Sequence, residues 1–75
     1  MYPEDFSGYT LENLLQLLDH LNATGGISNG ALSQKQKTNL LARLATVRAN
    51  LQQTVEYLDE NIDILSYSNT SGNWY

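Results

Sequence analysis

The chain has 75 residues, a net charge of −4 and no cysteine. It is one small domain at most, without disulfides or thiolate metal sites, at a size where burial of apolar surface barely exceeds conformational entropy. Eight acids against four bases argue against direct nucleic-acid binding, which needs Lys and Arg to displace counterions, and against docking on an anionic membrane. The start, Met1-Tyr2-Pro3-Glu4-Asp5, lacks the basic and then apolar stretch of a signal peptide, and the apolar runs are too short to span a bilayer. A cytoplasmic protein is the expectation.

Residues 1–10 contain Pro3 and Gly8 with three aromatics, Tyr2, Phe6 and Tyr9, and read as a non-helical arm. Thr10 is a candidate N-cap, with Glu12 in the first turn of a helix over 11–23. At 100° per residue, Leu11, Leu14, Leu15, Leu17, Leu18 and Leu21 fill one arc of about 160°, wider than one partner helix covers. His20 stands on the opposite, polar arc, and Gly25-Gly26 stops the helix.

The connection over 24–32 holds the turn signal Asn29-Gly30, with Ile27 and Leu32 expected to close the end of the core. Gly25 and Gly30 do not make a phosphate loop, because Ala31-Leu32 stand where Lys and Ser/Thr are required. Ser33-Gln34-Lys35-Gln36 is a capping box. From there no Gly or Pro interrupts the pattern before Ser66, which predicts a second helix of about 32 residues. Its seam has Leu41, Arg48, Val55 and Ile62 at a positions and Leu44, Leu51, Leu58 and Leu65 at d. Residues 66–75 are polar and rich in Gly, Ser and Asn, and read as a flexible tail.

The expected fold is therefore all-α, an antiparallel helical hairpin over 11–65 with a short first and a long second helix. The short helix cannot shield the long one beyond about Val47, so the distal leucine strip needs a partner. The bases Lys35, Lys37, Arg43 and Arg48 lie in the first half of the long helix, and Glu56, Asp59, Glu60 and Asp63 in the second. Two copies set antiparallel place opposite charges together, which predicts a homodimeric four-helix bundle centred near Leu51. Its interface is Leu44, Arg48, Leu51, Val55, Leu58, Ile62 and Leu65, with Arg48 meeting a partner carboxylate such as Glu56 or Asp59.

Tyr57 and Ile64, seven apart, form a second stripe. Either the arm covers it, or Tyr57, Glu60, Ile64, Tyr67 and Trp74 form a docking surface for another protein. No catalytic group, cofactor or metal site is expected. His20 has no orienting carboxylate at helical spacing, and the acids map to outward heptad positions. Function is read as a non-enzymatic protein–protein interaction module, with an acidic decoy of a nucleic-acid-binding protein as the alternative.

Overall fold

Thr10 and Asn13 start the first helix by exchanging bonds. The Thr10 side chain accepts from the Asn13 amide at 3.2 Å, and the Asn13 side chain accepts from the Thr10 amide at 3.3 Å. This satisfies two of the amides that a helix start leaves without partners. Ser33 and Gln36 do the same for the second helix, at 3.1 and 2.8 Å. The computed structural model describes residues 2–26 and 30–71, with the backbone alone for 67–71. Among these residues the helices are α1 (Leu11–Thr24), α2 (Gln34–Leu51) and α3 (Glu56–Ser71), with no strand.

Gly25 ends α1 in the left-handed region at φ 68°, and the Gly26 amide donates to the Leu21 carbonyl at 2.8 Å. Gly26 is tightly confined: a Cβ there would stand 2.7 Å from Leu21 Cδ2. Leu32 is buried as expected, while Ile27 and Asn29 lie outside the described residues.

The undivided second helix is not what the chain adopts. It breaks after Leu51, and α3 folds back to pack on α2. The physical reason is that a heptad seam states which face is apolar but not which chain covers it. The four-residue link also includes β-branched Thr54 and Val55, weak helix formers. α3 continues to Ser71, past the point where the polar tail was expected to begin.

One core joins all three helices. Leu14, Leu17, Leu18 and Leu21 of α1 meet Leu40, Leu44 and Val47 of α2 and Leu58 and Leu65 of α3. The wide leucine arc of α1 thus has more than one helix to cover it. Phe6 of the arm is fully buried in the same cluster, with its ring edge-on to Tyr9 at 5.1 Å.

The arm is fastened to the first half of α2. Gln36 Nε2 donates to the carbonyls of Tyr2 and Pro3, Asn39 Nδ2 to Glu4, and Arg43 Nε to Tyr9. A surface ion pair joins Lys35 to Glu4 at 3.1 Å. These bonds follow from two facts: the arm's backbone has no regular ladder of its own, and α2 offers long polar side chains at Gln36, Asn39 and Arg43 along one side.

Candidate docking face

α3 is amphipathic about an arc set by Leu58, Asn61 and Leu65, which are buried. Tyr57, Asp59 and Ile62 flank that arc half-buried, and Glu56, Glu60, Asp63 and Ile64 are exposed. At 100° per residue, Glu56, Glu60 and Asp63 therefore share the outward side, with Ile64 at its edge next to Tyr57. All four bases of the chain precede α3. The outward face carries one sign of charge, and it borders an aliphatic side chain that is 45% exposed.

Tyr57 and Ile64 share a stripe, but their environments differ. The Tyr57 hydroxyl accepts from Asn22 Nδ2 of α1 at 3.1 Å. The same nitrogen donates to Asn61 Oδ1 at 3.2 Å, and Asn61 Nδ2 donates to the Tyr57 carbonyl at 2.7 Å. This knot links α1 to the start of α3 and satisfies Asn61, a buried polar side chain 1% exposed. An unpartnered buried amide costs about 1–3 kcal/mol, so Asn22 and Asn61 help fix which way α3 faces. The sequence reading missed both residues. The signal was an Asn on the apolar arc of α3, between Leu58 and Leu65.

Of the docking candidates, the structure thus exposes Glu60 and Ile64 and half-buries Tyr57 against α1. Tyr67 has a helical backbone but its side chain lies outside the described residues, as does Trp74 altogether. The arm binds α2 and leaves Ile64 uncovered.

The expected dimer seam also changes character. Leu44, Leu58 and Leu65 are fully buried within the one chain, and Val55 and Ile62 pack half-buried against that core. Arg48 Nε meets Asp59 Oδ1 of its own chain as an ion pair, without the alignment of a hydrogen bond. Of the seven residues, Leu51 alone is exposed, at 36%. The expected bare strip is therefore corrected at Val55, Leu58, Ile62 and Leu65, where the fold-back of α3 supplies the cover that a second molecule was expected to give, while Leu51 stays exposed.

Elsewhere, a shallow groove of about 510 Å³ runs between the arm and α1, lined by Tyr2, Tyr9, Asn13, Gln16, Leu17 and His20. Its lining brings no carboxylate, serine or cysteine to His20. Among the described residues there is no group of three or more metal-ligating side chains, and no helix long and apolar enough to cross a membrane. Comparison with protein-family models, with curated proteins and with solved structures finds no match, so a functional reading of this chain rests on its own geometry.

Proposed function

We propose that this chain is a small acidic, non-enzymatic interaction module that docks on another protein through the outward face of α3. The carrying observation is Ile64, 45% exposed at the edge of a face formed by Glu56, Glu60 and Asp63. The partner that fits is a basic protein surface with an aliphatic pocket, since such a surface neutralises the acids and removes Ile64 from water. Association of two copies into a four-helix bundle belongs to the same reading, supported by Leu51, which one chain leaves exposed.

The test uses the full chain as bait. Ile64→Asp and Glu60→Lys are expected to abolish capture of the partner, with the thermal unfolding midpoint unchanged. Capture by both variants at the wild-type level overturns the reading. The one-sign charge of the face supports a second reading, an acidic decoy for a nucleic-acid-binding protein. In that case the captured protein is released by competing nucleic acid and by moderate salt, whereas contacts centred on Ile64 survive salt.

A further inference from the structure

The bend between α2 and α3 carries none of the usual stop and start residues, and only the weak helix propensity of Thr54 and Val55 favours it locally. The link Gln52-Gln53-Thr54-Val55 contains neither Gly nor Pro. Gln52 takes the left-handed conformation, φ 54° and ψ 35°, and is the only such non-glycine among the described residues. Val55 occupies the N-cap of α3, its carbonyl accepting from the Asp59 amide at 2.9 Å, yet its side chain has no atom to cap with. The heptad seam meanwhile passes through in phase, from Leu44 through Leu51 and Val55 to Leu58.

We propose that two copies of this chain exchange α3. The link becomes helical, α2 and α3 merge into one rod, and each α3 takes the place on the partner's α2 that the partner's own α3 vacates. The result is a four-helix assembly of two antiparallel rods and two copies of α1. The exchanged contacts are those of the closed chain, so the core is kept. What differs is the link: Gln52 leaves the left-handed region and the link gains helical hydrogen bonds. The Arg48–Asp59 pair re-forms between chains. The twofold axis then falls midway between those positions, at residues 53 and 54, and gathers Leu51 and Val55 of both copies around it. A short, strained link is the condition under which such exchange is cheap. Its cost is the entropy of association, so the exchanged form rises with concentration.

The exchange rests on the self-association part of the proposed function and specifies its geometry. Sedimentation equilibrium from micromolar to millimolar chain is expected to show monomer giving way to dimer. Gln52→Gly suits the left-handed bend and weakens the merged helix, and it is expected to raise the dimer dissociation constant about a hundredfold. The double variant Gln53→Ala, Thr54→Ala favours the merged helix and lowers it. Because the chain has no cysteine, oxidising a mixture of an Arg48→Cys chain and an Asp59→Cys chain reports whether those positions meet between molecules, and a disulfide-linked heterodimer is expected. Where either cysteine variant fails to fold, isotope-filtered NMR on mixed labelled and unlabelled wild type reads the same Arg48–Asp59 contact. Monomer at every concentration, in wild type and in the alanine variant, overturns association and exchange together. A dimer without the intermolecular contact, or one unmoved by Gln52→Gly, leaves association standing and overturns exchange.

Discussion

The starts of α1 and α2 and the start of α3 are built differently. Thr10 and Ser33 each carry a side-chain oxygen to the third amide of the helix and receive a side chain in return. At α3 the equivalent position is Val55, and the preceding helix ends on a left-handed Gln52 where α1 ends on Gly25. The first two boundaries are local and stand on the chemistry of a few neighbouring residues. The third is held from a distance, by Leu58 and Leu65 in the core, the Asn22–Tyr57–Asn61 knot and the Arg48–Asp59 pair. A left-handed non-glycine costs about 1–2 kcal/mol, which burial of one leucine, about 1.5–3 kcal/mol, offsets.

The contrast has consequences that can be measured. The largest concerns the arm, which packs beside the locally started helices but is itself held by bonds that span 33–35 positions. Phe6→Ala is expected to lower unfolding free energy by about 3–5 kcal/mol, as for any fully buried phenylalanine. A loss near zero in urea denaturation would show the arm to be decoration. Next, Ser33→Ala is expected to cost about 1 kcal/mol, while Thr54→Ala at the uncoded boundary stays within about 0.5 kcal/mol. Equal losses at the two sites would erase the distinction. Gln52→Gly, measured in dilute solution, is expected to stabilise the single chain by about 1 kcal/mol, whereas Gly25→Ala destabilises by a similar amount. The smallest effect is at Arg48 and Asp59, whose side chains are 42% and 34% exposed. Arg48→Met is expected to cost about 0.2–1 kcal/mol, a loss that fades as salt is raised.

Much of the candidate face was legible along the chain. The outward placement of Glu60 and Asp63 follows from helical periodicity alone, as does the shared stripe of Tyr57 and Ile64. That Tyr57 is tied to Asn22 was not legible, because the two lie 35 positions apart and no local pattern joins them. The same holds for Phe6: an aromatic in a Pro- and Gly-containing arm carries no period that marks it as core. Arg48 shows the division most clearly. Its charge and heptad position called for a carboxylate across an antiparallel contact, and Asp59 was among those named. In the single chain that contact is made internally.

Helix identity, the two capping boxes, the glycine stop of α1 and the apolar arcs were determined by the sequence itself, since each depends on side chains within a turn or two of one another. The bend at Gln52 and the assignment of α3 to its own α2 were decided only in three dimensions. Periodicity specifies a face, and the choice between one's own chain and a copy turns on the balance between strain in four residues and the entropy of bringing two molecules together.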